Sequence, residues 1–322
     1  MASDMNGTDV KNAKDQRAYF SGRFAVELDL MKKQLGTVVS VDGGHFKSEA
    51  IGEQVGGEGK ETRYPGRQKF DDITITIGTL TMPGWWSWFK QSIGNKYKRT
   101  NGAIITYDFD GKERERRTIK DALLAEIAFP TLDAKAKSPA TISIKLAPEQ
   151  MEWAETKGSN GDVARGGVIN KQKLWVPANF RLGIDGFDKE VMRWVQKVDG
   201  FTIKQNIILN PIGDEKYVRK EIGRIEWPAL TFYIAEHKAK PFLDWWKSFV
   251  GQMEHTSNNE KTGFIEYLAS DCSTVVGRID FGGIGITGCT FEKHDAGTDA
   301  MRFLKVECYT ESMEVKPGTG TE

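Results

Sequence analysis

The chain repeats itself. Val41-Asp42-Gly43 recurs as Val198-Asp199-Gly200, 157 residues later, and Gly66-Arg67 recurs as Gly223-Arg224 at the same spacing. Ile73, Ile75 and Ile77 fall on Leu230, Phe232 and Ile234, and Trp88-Phe89-Lys90 falls on Trp245-Trp246-Lys247, again 157 apart. Upstream, the segment Phe24 to Asp29 matches Phe180 to Asp185 at an offset of 156. Downstream the offset drifts to 160, which sets Ile119 on Ile279, Ile144 on Leu304 and Leu146 on Val306. A common offset over five separate segments, drifting by a few residues, reads as a tandem duplication with small loop insertions.

Copies of about 130 residues are each large enough to bury a core, so the expected architecture is two domains rather than a solenoid. A length of 322 residues fits that division. The Gly-rich polar stretch 156–173 (TKGSNGDVARGGVINKQK) reads as a linker between domain 1, residues 19–155, and domain 2, residues 174–316. Residues 1–18 read as a flexible N-terminal arm and 317–322 as a flexible tail.

Within each copy the dominant period is two. Ile73-Thr74-Ile75-Thr76-Ile77 and Thr141-Ile142-Ser143-Ile144-Lys145-Leu146 alternate apolar and polar residues, and Phe180-Leu182-Ile184 and Leu230-Phe232-Ile234 repeat the pattern in the second copy. Such alternation marks strands with one buried and one exposed face. Turn signals at Asp42-Gly43-Gly44, Asp110-Gly111-Lys112 and Asp185-Gly186 separate them. One short aromatic-rich helix interrupts each copy. Trp85, Trp88 and Phe89, and Phe242, Trp245 and Trp246, stand at i, i+3 and i+4, which gathers the rings on one helix face. The expected fold class is therefore mainly β: two antiparallel β-sandwich or barrel domains of seven or eight strands, each plugged by one helix.

Lys plus Arg and Asp plus Glu both number 45, so the chain lacks the basic excess that usually marks a nucleic-acid-gripping protein. The polar N-terminal stretch contains no signal-type apolar core, and no apolar run is long enough to span a bilayer, so no membrane role is expected. Cys272, Cys289 and Cys308 are odd in number and spaced unlike metal ligands, and they read as reduced core thiols. The four histidines, His45, His237, His255 and His294, show no i, i+4 pair. Gly56-Gly57-Glu58-Gly59-Lys60-Glu61 lacks both the first glycine and the Ser/Thr of a phosphate loop, and reads as the tip of a flexible loop, 48–64. The glycines of Gly282 to Gly288 lie among β-branched residues and suit a bulged strand. No catalytic, cofactor-binding or metal-binding residue is expected, and the chain does not read as an enzyme.

Tyr64-Pro65-Gly66-Arg67, followed by Phe70 and the alternating strand from Ile73, then the aromatic helix Trp85 to Lys90, resembles the T4-type phage tail tube family and its relatives in contractile injection systems. The segments Phe24 to Asp29 and Val38 to Gly43 resemble that family's opening hairpin, and 118–146 its closing segment. The second copy keeps Arg224, Trp227 and Trp245-Trp246-Lys247 but has Glu221-Ile222-Gly223 where Tyr64-Pro65-Gly66 stands.

The resemblance implies a structural protein forming six-membered rings that stack into a hollow tube, with sheets of neighbouring domains joined edge to edge. With two domains per chain, three chains complete such a ring, through heterologous contacts. The implied partners are further copies of the chain, a sheath, baseplate or hub and terminator proteins, with DNA or an effector passing through the lumen without sequence-specific contacts. The implied location is a virion tail or injection particle made in bacterial cytoplasm. The polar segments 48–64 and 205–220 are expected to cross ring or stacking interfaces. That nominates Glu53, Gln54, Lys60, Arg63, Arg67, Arg219, Lys220 and Arg224 as interface residues. Alternatives are a hub, tube-initiating or capping protein with the same double domain and, with less support, an enzyme or effector on a β scaffold or a nucleic-acid-binding module.

Overall fold

The computed structural model describes residues 21–29, 38–54, 61–78, 83–94, 97–156, 175–213, 217–253, 256, 259–293 and 301–318. The expected arm, all of the expected linker but Thr156, and residues 319–322 lie outside them. In the first half the order is β1 (Phe24–Leu28), β2 (Val38–Gly43), β3 (Phe46–Gln54), β4 (Glu61–Phe70), β5 (Ile73–Ile77), α1 (Pro83–Ser92), β6 (Thr100–Tyr107), β7 (Glu113–Phe129), β8 (Leu132–Asp133), β9 (Ile142–Ala147) and β10 (Gln150–Glu155). The second half runs β11 (Phe180–Ile184), α2 (Lys189–Met192), β12 (Val195–Val198), β13 (Phe201–Asn210), β14 (Arg219–Glu226), β15 (Leu230–Ala235), α3 (Lys240–Trp246), β16 (Lys261–Leu268), β17 (Val275–Phe291), β18 (Phe303–Tyr309) and β19 (Ser312–Pro317). The protein is mainly β and its strand pairs are antiparallel.

The two halves share a strand order. One sheet runs β1-β6-β7-β9-β5-β2 with β10 on β7; the other runs β11-β16-β17-β18-β15-β12 with β19 on β17. The irregularities coincide as well. Register shifts between Leu124 and Glu126 where β7 meets β9, and between Ile286 and Gly288 where β17 meets β18. The first hairpin shifts between Ser48 and Ala50, and its counterpart between Gln205 and Ile207.

Pairing also corrects the offset toward the C-terminus. Ile75 lies opposite Ile144, and Phe232 lies opposite Val306. Ile144 thus corresponds to Val306 rather than Leu304, and Leu146, opposite Ile73, to Cys308, opposite Leu230. A two-residue slip keeps every side chain on its face, so apolar alternation alone cannot detect it.

The alternating strands bury the faces expected of them. Ile73, Ile75 and Ile77 on β5, Ile142, Ile144 and Leu146 on β9, and Leu230, Phe232 and Ile234 on β15 are all buried. They belong to one cluster of buried side chains that runs through both halves, with a small second cluster of Ala25, Ala103, Ile105 and Tyr107. Gly43 and Gly44 have φ of +94° and +66°, as the expected turn before β3 requires.

Further expectations differ from the structure, beginning with strand number: ten and nine strands are described in the two halves where seven or eight were expected. The segments read as loops, 48–64 and 205–220, lie largely within two hairpins, β3–β4 and β13–β14. Ser48 to Glu53 and Glu61 to Pro65 are exposed throughout, so no buried face imposed an alternation to be read. Among the cysteines, Cys308 is buried and Cys289 half-buried, but Cys272 is exposed, at φ +54° after the Asp271 turn. On α3, Phe242 and Trp245 are buried as expected while Trp246 is 37% exposed. The short helix α2, started by Asp188 accepting from the Glu190 N–H, is an element the sequence reading lacked.

Candidate assembly interface

The halves meet by joining strands. Phe201, Thr202, Ile203 and Lys204 of β13 lie opposite Phe129, Ala128, Ile127 and Glu126 of β7. Just beyond, Val198 and Lys197 of β12 lie opposite Leu132 and Asp133 of β8. These pairs belong to one antiparallel register, interrupted at Pro130 and at Gly200, whose N–H donates to the Thr131 hydroxyl at 3.1 Å. The β2-β5-β9-β7 sheet thereby continues into β12-β15-β18-β17.

Apolar packing seals this junction. Ile127, Phe129, Phe201 and Ile203 are all buried. The Phe129 and Phe201 rings lie 5.2 Å apart, and Phe129 also packs on Tyr267 at 5.9 Å. Trp86 of α1 inserts between the halves, 5.3 Å from Tyr267. It fits because residue 277 is glycine: a Cβ there would stand 2.0 Å from the Trp86 ring. Burial pushes the Tyr267 hydroxyl far above the ordinary phenol range.

The hairpin β13–β14 clamps the first half. Gln205 is buried, and its amide donates to the carbonyls of Ser92 at 3.0 Å and Leu124 at 2.7 Å, while its oxygen accepts from the Gly94 N–H at 3.3 Å. All three partners are backbone groups of the first half. The Lys220 N–H donates to Glu149 at 2.6 Å, its carbonyl accepts from Arg99 at 2.7 Å, and its ammonium stands 3.7 Å from Asp72. Burial pulls the Lys220 pKa down against the opposing pull of Asp72 and Glu149.

Of the nominated interface residues, Lys220 and Arg67 lie at this junction. Arg67 donates to the Gly213 carbonyl at 3.4 Å. Arg63 is exposed and pairs with Glu61 of its own strand at 2.9 Å. Glu53 on β3, and Arg219 and Arg224 on β14, are exposed on the two hairpins. Gln54 ends β3, and Lys60 lies outside the described residues. Gln205, Trp86, Phe129 and Phe201 were not nominated. Their role depends on contacts between segments far apart in sequence, which no local pattern carries.

The edges corresponding to this junction are open. Among the described residues, 288–291 of β17 pair only with β18, and Phe46 to Ser48 of β3 pair only with β4. Phe46 is 48% and Phe291 50% exposed. Trp246, at the position where Phe89 packs on Phe129 at 6.5 Å, is exposed too.

The sheet face turned away from the core is polar and charge-paired. Lys145 stands 3.5 Å from Glu126, Lys197 2.9 Å from Asp199, and Lys305 2.5 Å from Glu307. No group of three or more His, Cys, Asp or Glu side chains placed to hold a metal occurs among the described residues. No described helix is long and apolar enough to cross a membrane.

No curated protein matches the chain. Among solved structures, a subunit of the sheath–tube complex of an extracellular contractile injection system is 19% identical, with a TM-score of 0.39 over 44% of this chain and 94% of that one. A tube-terminating cap protein of the anti-feeding prophage is 20% identical, with a TM-score of 0.39 over 44% of this chain and 93% of that one. Hcp1 from Flavobacterium johnsoniae is 12% identical, with a TM-score of 0.29 over 41% of this chain and 98% of that one. Residues 21–152 match the family described as T4-like virus tail tube protein gp19.

Proposed function

We propose that this chain is a structural, ring-forming tube protein of a contractile phage-type tail or injection apparatus. In this reading it arose by tandem duplication, and its units, residues 19–155 and 174–316, alternate around a ring of three chains with pseudo-sixfold symmetry. Support comes from the tail tube match over residues 21–152 and from the strand order and bulge positions common to both halves.

The observation that carries the proposal is the pairing of β13 with β7, sheet edge to sheet edge, while among the described residues the corresponding edges of β17 and β3 have no second partner strand. An open edge is a template for another chain, and closure into a ring covers both of these edges at once. Rings then stack, and the charge-paired face carrying Lys145, Glu126, Lys197 and Asp199 lines the lumen. A lumen whose lysines are already paired lets DNA or a protein effector pass without holding phosphates. Sheath, baseplate and terminator components are the expected partners outside and at the ends.

The test is negative-stain microscopy of concentrated protein, with particle mass measured in parallel. Three-chain rings or stacked tubes are expected. Monomers without rings at any concentration would overturn the proposal. Particles that stop at a single three-chain ring would instead identify a hub, initiator or cap.

A further inference from the structure

The junction inside the chain gives the geometry of a junction between chains. Aligning the halves by their pairing sets Glu126, Ile127, Ala128 and Phe129 of β7 on Gly288, Cys289, Thr290 and Phe291 of β17. The hairpin register sets Phe201 to Lys204 of β13 on Gly44, His45, Phe46 and Lys47. We infer that 288–291 of one copy pairs antiparallel with 44–47 of a second copy, with Phe46 opposite Cys289 and His45 opposite Thr290. This inference rests on the ring reading and adds its register.

Three features favour a second copy as the occupant of this edge. The first is continuity with the junction already present: the open edges hold the positions that are paired in the chain's own seam. The second is shape. Ile203 faces Ile127 in the chain, whereas here a large Phe46 faces a small Cys289, and a large Phe291 faces Gly44. The exposed Phe46 ring is thus offered space by the small residue opposite, while Gly44 is itself backed by the Met151 and Ile73 side chains. Phe46 leans on Phe70, with ring centroids 5.7 Å apart, and still keeps about half of its surface exposed.

The third is charge. Lys220, whose backbone N–H donates to Glu149 and whose carbonyl accepts from Arg99 inside the chain, corresponds to Arg63. Glu149 and Arg99 correspond to Glu311 and Glu260. Arg63 of the incoming hairpin therefore arrives beside the carboxylate of Glu311, while Glu260, where Arg99 stands in the chain's own seam, already accepts from the Tyr309 hydroxyl at 2.6 Å. At present Arg63 pairs with Glu61 on its own strand, and Glu311 is exposed.

Directly opposed residues on antiparallel strands have Cα atoms about 4.5–5.5 Å apart, within the range a disulfide spans. The full-length F46C/C272S chain retains Cys289 and should oxidise to bands of two and three chains that vanish on reduction and on adding C289S. Neighbouring opposed pairs alternate between hydrogen-bonded and non-hydrogen-bonded geometry. The second variant, H45C/T290C with Cys272 and Cys289 replaced by Ser, therefore probes the adjacent pair and leaves Phe46 intact. Interchain bonding of either variant, in particles that are rings by microscopy, supports the register. Rings in which neither variant crosslinks, whether or not S48C does with Cys289, overturn the register and leave the ring reading standing. Particles without rings and without interchain crosslinks overturn both.

Discussion

Phe129 and Phe201 lie directly opposite each other across the seam between the halves, their rings 5.2 Å apart and both buried. Phe129 lies on a strand of the first half, Phe201 on one of the second, so the contact couples segments 72 residues apart. Truncating a buried phenylalanine costs about 3–5 kcal/mol. F201A is expected to lower stability by that amount in urea unfolding. It is also expected to separate the seam from the rest, seen as earlier hydrogen exchange at Ile127 and Ile203. Exchange unchanged there would show that the seam does not depend on this pair.

Gln205 closes the same seam by polar means. Its side chain satisfies the Ser92 and Leu124 carbonyls and the Gly94 N–H. Q205L keeps the volume but leaves these groups unpaired, at a cost of about 1–3 kcal/mol. Chemical denaturation of Q205L against the parent chain measures the loss. Equal midpoints would mean that water replaces the amide at no cost.

Gly277 is occupied from outside, by the Trp86 ring. G277A forces a methyl group into that ring and is expected to destabilise the chain by about 1–3 kcal/mol. Trp86→Leu should be destabilising alone yet recover part of the loss when combined with G277A, because the smaller side chain leaves room. A thermodynamic cycle showing strict additivity would remove the contact as the cause.

Asp280 should contribute to the acid sensitivity of the fold. Burial alone would raise its carboxyl pKa, but hydrogen bonds from Lys316 at 2.6 Å and Arg278 at 2.5 Å, with their charges, hold it below the usual carboxylate range. The folded chain binds this proton less readily than the unfolded one does. Its contribution is therefore complete above the ordinary carboxylate pKa and disappears as pH falls through the lower folded value. D280N should be less stable than the parent at neutral pH, and the gap should narrow below about pH 4. A gap constant from pH 7 down to pH 2 would assign the loss to packing rather than ionisation.

What the sequence disclosed follows from which residues are buried on one side only. Strands β5, β9 and β15 announce themselves because one face meets the core and the other meets water. The hairpin β3–β4 is exposed on both faces along its outer stretch, and β13–β14 alternates there mainly between exposed and half-buried, so both read as loops although they are paired strands. The aromatic helices were legible as core plugs, but Trp246 was not distinguishable from Trp245. Both are aromatic at helical spacing, and only the packed structure separates the 7% exposed ring from the 37% exposed one. The correspondence of Ile144 with Val306 needed the pairing itself, because a slip of two residues leaves the apolar rhythm unchanged. Among the nominated residues, Lys220 and Arg67 reached the seam, while Gln205 went unnamed because nothing near it in the chain records the carbonyls it serves.

The covalent connection between the halves alters how a closed particle would come together. A contact between tethered partners forms at an effective concentration of about a millimolar, however dilute the protein. In the proposed circle every second joint is of this kind, so dilution would act only on the others. Fragments shed from such a particle should then be whole chains, each departing with its own seam intact.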